Sequence, residues 1–180
     1  TGSKTWLIFF NGGGACDGTV IPCTDRSDDA FRPYSTTETA FSNFNEEANG
    51  VTSRDATKNP DFWDANFVIG KYCSNDLYSG TNTVPQKVMT GPSAAPTPRQ
   101  LVFTGRRNVQ AVLGSLVRYF GLDDRDPKVK IVYTGNSAGS DGMQNTSDLA
   151  VGTFPKAAQD LRIWYVSRAA YMLATWNNPT

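Results

Sequence analysis

Histidine is absent from all 180 residues. That removes the commonest general base of a serine or cysteine hydrolase from anything this chain does alone. With no histidine and one plausible cysteine pair, no zinc-like ligand cluster is expected, and neither a metal nor a cofactor is called for. Charge of one sign is missing too, because 17 basic residues balance 17 acidic ones. Nucleic acids and anionic membranes need a concentrated positive field, so neither is an expected partner. Long apolar runs are also lacking. The longest, Trp6–Phe10, is strand-sized and far short of the roughly 20 residues of a membrane span.

Cysteine is scarce, with three residues: Cys16, Cys23 and Cys73. Cys16 and Cys23 flank a short loop of turn formers, a separation that a local disulfide can close; three buried thiols are the alternative. The odd cysteine implies a partner in further sequence or a free thiol. Asn145-Thr146-Ser147 fits the N-glycosylation pattern and leans toward secretion. The chain reaches its first apolar run almost at once, without an initiator Met or a signal-peptide pattern. It stops just after an apolar stretch from Tyr165 to Trp176. Both ends read as cuts through a larger fold.

What is present alternates in a strand–helix manner. Thr5–Phe10 is a continuous apolar run, as in a strand covered on both faces. Asp17 to Pro60 is polar and turn-rich with scattered aromatics, so short helices and functional loops are expected there. Asn66–Tyr72 is a second strand, and Thr81 to Pro98, with four prolines, is expected to be a loop. Val109, Val112, Leu113, Leu116, Val117 and Phe120 recur at helical spacing with one inward face. Val129–Thr134 and Leu161–Val166 complete four strands. This alternation implies an α/β fold, a mostly parallel sheet with helices on both faces, and residues 1–180 form part of a single domain. Sites in such sheets gather at the carboxyl ends of the strands.

Two motifs sit at those ends. Gly135-Asn136-Ser137-Ala138-Gly139 fits G-x-S-x-G directly behind a strand. A nucleophile on a sharp strand-to-helix turn needs small neighbours at −2 and +2, and the next amide faces a developing oxyanion. A glycine-rich turn that binds an anion is the bland alternative. Asn11-Gly12-Gly13-Gly14 comes directly after the first strand, where hydrolases with this elbow often take a second oxyanion donor. A phosphate-binding loop is the rival, but neither G-x-x-x-x-G-K-[ST] nor G-x-G-x-x-G is present.

The pattern then becomes specific. Phe10-Asn11-Gly12-Gly13-Gly14-Ala15-Cys16 with Cys23 and Arg26, Asn59-Pro60-Asp61-Phe62-Trp63, Tyr72-Cys73-Ser74-Asn75-Asp76-Leu77-Tyr78-Ser79-Gly80, Phe103-Thr104-Gly105-Arg106-Arg107 and the elbow stand in one order along the chain. Together they resemble the pectin acetylesterase/Notum family of serine esterases. The resemblance implies an α/β-hydrolase-like fold, of which this chain would be the N-terminal portion, and secretion. It also implies hydrolysis of carboxylic esters on an acylated polysaccharide or an acylated protein. By position it assigns Ser137 as nucleophile, Gly13, Gly14 and Ala138 as oxyanion donors, and Cys16–Cys23 as a disulfide. Cys73 would pair with a cysteine upstream of Thr1.

The match departs from the family at several positions. Gly14 and Ala15 stand where bulky residues, often an aromatic, are usual, and Ser140 replaces a glycine. Ser167-Arg168-Ala169-Ala170 takes the place of Ser-Asp-Ala-Gly, losing a carboxylate. The triad order in this fold is Ser, then an acid, then His, and the chain supplies no His. Asp141, Asp148 and Asp160 are not placed to replace the acid. Besides a small βα module unrelated to hydrolysis, two readings are open. In one, the acid and His lie on a C-terminal segment of the same protein. In the other, the chain is an inactive homologue that binds a glycan or serves assembly.

Overall fold

The computed structural model describes residues 2–16, 22–24 and 50–168. Most of the polar stretch from Asp17 to Pro60, and the apolar end beyond Arg168, lie outside the described residues.

Four strands form one wholly parallel sheet: β1 (Thr5–Phe10), β2 (Asn66–Gly70), β5 (Lys130–Asn136) and β6 (Ile163–Arg168), in the order β2-β1-β5-β6. The apolar run of β1 fits its central place, since five of its six residues are buried. Alternation along β1 then divides the core. Trp6, Ile8 and Phe10 point to the face that carries Ile131, Tyr133 and the helices, whereas Leu7 and Phe9 join Val132 and Ala65 on the other. Register sets the strand ends level, with Phe10 paired to Gly135. The two chain segments that leave β1 and β5 therefore emerge side by side.

Helix α1 (Gly105–Tyr119) buries Val109, Leu113 and Leu116 at helical spacing on the sheet. Val117 and Phe120, expected on that inward face, are instead exposed. The stripe one helix can bury is narrower than its apolar content. Short helices α2 (Ala138–Asn145), α3 (Ser147–Thr153) and α4 (Pro155–Gln159) continue over the same face through Met143, Ala150, Phe154 and Ala157. Among the described residues, Val51 and Phe62 cover the opposite face.

The expected loop from Thr81 to Pro98 is a hairpin. Strands β3 (Gln86–Thr90) and β4 (Thr97–Leu101) pair antiparallel, with Val88 and Thr90 inward and Lys87 and Met89 outward. Prolines argue against strands, but a two-stranded ribbon leaves half its N–H groups unpaired, so Pro98 fits at an edge. The hairpin is held by burial. Val88, Leu101 and Phe103 pack on Cys16 and Cys23, which form a disulfide. Strand β6 starts two residues later than Leu161. That residue has φ 55° and closes α4 by donating its N–H to Ala158 O.

Candidate active site

Ser137 occupies the one-residue turn between β5 and α2, with φ 54° and ψ −127°. This conformation is costly for a residue with a Cβ, by about 1–3 kcal/mol, and persists only where surroundings enforce it. The glycines on either side show the enforcement. A Cβ on Gly135 would strike Gly139 O, and one on Gly139 would strike Phe10 O. Both positions must be glycine for the strand to turn into the helix at this radius. The Ser137 N–H donates to Arg168 O at 3.0 Å, and its carbonyl accepts from Ser140 N–H at 2.8 Å. The backbone is thereby fixed, while the side chain stays half-exposed.

The Asn11–Gly14 loop lies against this turn. A Cβ on Gly12 would sit 2.6 Å from Asn136 O and 2.9 Å from Ser137 Cβ, so only hydrogen permits the approach. Gly12 is thus the loop glycine whose Cβ position meets the serine, although the sequence motif does not distinguish it from its neighbours. Gly13 faces the Tyr72 ring, and Gly14 is exposed with φ 72°. Ala138, whose amide opens α2, is buried beside the serine.

A third segment closes the site from below. Residues 72–80 form a knot with positive φ at Asn75, Leu77 and Tyr78. Asp76 ties it together: its carboxylate accepts from Ser74 Oγ (2.6 Å), Tyr78 N–H (3.1 Å) and Gly105 N–H (2.8 Å). The last bond also caps α1, whose Thr104 makes no side-chain cap. Asn75 O accepts from Cys16 N–H at 2.7 Å. The Tyr78 hydroxyl reaches Asn11 O at 2.8 Å and Gly70 O at 3.2 Å. Burial pushes this hydroxyl well above its ordinary range, so it remains a neutral donor.

Ser140 has a structural task. Its hydroxyl is fully buried, 2.6 Å from Gly135 O and 2.7 Å from Arg168 O, and it accepts from Arg168 N–H at 2.8 Å. It stitches the end of β6 to the elbow.

Two of the acids weighed from the sequence, Asp148 and Asp160, are engaged in ion pairs. Asp148 pairs with Arg106, which holds its carboxyl below the usual range. Asp160 pairs with Lys156 and Arg162. Asp141 lies in the first turn of α2. Among the described residues no three His, Cys, Asp or Glu side chains converge to hold a metal. Cys73 is exposed and unbridged. Asn145 is exposed at the end of α2, and its amide donates to Leu77 O at 3.0 Å. No helix among the described residues is long and apolar enough to cross a membrane.

Known proteins resemble this chain in sequence and in fold. The family model for pectinacetylesterase matches residues 1–174. Pectin acetylesterase 5 of Arabidopsis thaliana is 29% identical, covering 96% of this chain and 35% of its own length. The palmitoleoyl-protein carboxylesterase NOTUM of Homo sapiens is 29% identical over 79% of this chain and 25% of its own. A crystal structure of the Wnt deacylase Notum from Drosophila superposes with a TM-score of 0.56 at 23% identity, over 92% of this chain and 43% of that one. The chain spans about a third of the plant relative's length and a quarter of the human one's.

Proposed function

The chain belongs to the pectinacetylesterase family, and from that premise we propose that it carries the nucleophile and oxyanion half of a secreted serine carboxylesterase. The observation that carries this reading is Ser137, held at φ 54° on the elbow with Gly12 packed against it. A serine has no packing reason to occupy that backbone region, and a nucleophile has one: the turn lifts its Oγ clear of the sheet.

In this reading Ser137 Oγ attacks the acyl carbonyl of an acylated polysaccharide or acylated protein. The tetrahedral oxyanion is met by the amides of Ala138 and of Gly13 and Gly14 in the glycine loop. One preorganised donor of this kind contributes about 3 kcal/mol to transition-state stabilisation. Collapse expels the alcohol and leaves an acyl-serine, which water then hydrolyses. The proton leaving Ser137 needs a base, and with no histidine in the sequence the acid and His come from a C-terminal segment of the same domain. The Cys16–Cys23 disulfide supports an oxidising compartment. Glycosylation at Asn145 belongs to the same secreted reading.

A competing reading makes the chain an inactive homologue that binds a glycan or serves assembly. It draws on Arg168, which stands where relatives carry a carboxylate, and on the small Gly14 and Ala15.

A fluorophosphonate probe separates the two. The native secreted protein, with its mass determined intact, should be labelled at Ser137, and Ser137→Ala should lose the label. A native species of full family length that folds but takes no label refutes the esterase reading.

A further inference from the structure

The slot that holds Tyr78 would accept a phenylalanine equally well by shape. Its ring stacks on Tyr72 at 4.6 Å, meets Phe10 edge-on at 5.2 Å, and fills the space left by Gly142, where a Cβ would collide with it. A hydroxyl buried in such a layer is unfavourable unless bonded, so what it bonds is informative. Gly70 O already accepts Asn11 N–H at 3.3 Å. The contact Tyr78 adds is the one to Asn11 O, at 2.8 Å.

That carbonyl belongs to the same planar unit as the Gly12 N–H. In a trans peptide the two groups point in opposite directions, so holding Asn11 O toward Tyr78 aims Gly12 N–H away from it. The unit is otherwise held by close packing, with Gly12 on Ser137 and the Asn11 carbonyl carbon on Gly139, and the Tyr78 hydroxyl adds a hydrogen bond to that packing. It leads into two further glycines, for which peptide reorientation meets no Cβ penalty. Tyr72 continues the hold, because its ring, stacked on Tyr78, faces the Cβ position of Gly13 at 3.1 Å. Tyr72 is itself placed by Leu77 N–H, which donates to its hydroxyl at 2.7 Å. At the far end of the loop, Asn75 O takes Cys16 N–H.

We propose that Tyr78 is a positioning residue: its buried hydroxyl clamps the Asn11–Gly12 peptide and so sets the direction of the glycine-loop amides beside Ser137. Its consequence for rate rests on the esterase reading; the clamp itself does not.

The test is Tyr78→Phe in the full-length secreted protein, with two readouts. Hydrogen exchange of the peptide spanning Asn11–Cys16 should quicken roughly 10-fold, while the core amides of β5 keep their protection. With p-nitrophenyl acetate, kcat should fall at least about 10-fold and KM stay within about 2-fold, because mis-aimed donors are felt in the transition state. Faster exchange in a protein whose wild type is inert toward the ester leaves the clamp standing and removes the esterase reading. Unchanged exchange overturns the clamp, and an unchanged kcat in an active wild type overturns Tyr78 as a positioning residue. If Tyr78→Phe fails to fold, Tyr72→Phe, which removes the acceptor of Leu77 N–H, is read by the same two measurements.

Discussion

The two flanks of the sheet are built to different degrees. On the β1/β2 flank the strand ends are closed by the 72–80 knot, in which Asp76, Tyr72 and Tyr78 are all buried and hydrogen-bonded. On the β6 flank the strand has a partner on one side among the described residues, and Trp164, Tyr165 and Val166 are 40–43% exposed. The elbow stands between them. From the β1 flank it receives the packed glycine loop. From the β6 flank, among the described residues, it receives backbone and Ser140 contacts at Arg168. Labour is divided accordingly. In the proposed reading the glycine-loop donors come from the β1/β2 flank, and Ala138 comes from the elbow itself.

That contrast can be broken at its strongest point first. Asp76→Asn replaces one carboxylate oxygen by an amide NH2, which then faces at least one donor, the Gly105 N–H if it takes the Oδ2 place, and should lower unfolding free energy by about 2–3 kcal/mol. Urea titration measures this, and a loss below the scatter of surface variants would show that the knot does not hold the flank. Removing the disulfide with Cys16→Ser and Cys23→Ser should cost about 2.5 kcal/mol, from the loop-closure entropy of so short a ring. The hairpin's amides should lose exchange protection with it, since β3 and β4 pack on those cysteines.

At the elbow, Ser137→Gly should be more stable than Ser137→Ala by about 1–2 kcal/mol, because glycine relieves the positive φ and alanine does not. Equal midpoints for the two would mean the turn is unstrained. The smallest effect belongs to the open flank: Trp164→Ala in this 180-residue chain should cost less than about 1 kcal/mol, against about 3 for the same change where the ring is covered. Urea titration of wild type and variant checks this, and a loss of about 3 kcal/mol would show that something packs on β6.

Much of the fold is legible in the sequence because it is local. Five successive apolar residues make a covered strand, and β1 has the limits its sequence suggests. Gly135 and Gly139 around Ser137 announce a tight turn because any Cβ there meets backbone. The hairpin is hidden because four prolines outweigh the alternation of Val88 and Thr90, and its burial depends on a disulfide about 70 residues away. Ser140 looks like a defect in the motif. Its role becomes visible only with the end of β6 beside it.

The sequence by itself determined the tight turn at Ser137, the central strand and the family, since each depends on sterics or order within a few residues. Only the tertiary structure decided that Gly12, rather than its neighbours, lies against Ser137, and that Tyr78 holds the peptide before it. Those contacts join residues 125 and 67 positions apart, and no local preference encodes them. They arise from the pairing of Phe10 with Gly135, a register chosen by burial over the whole sheet.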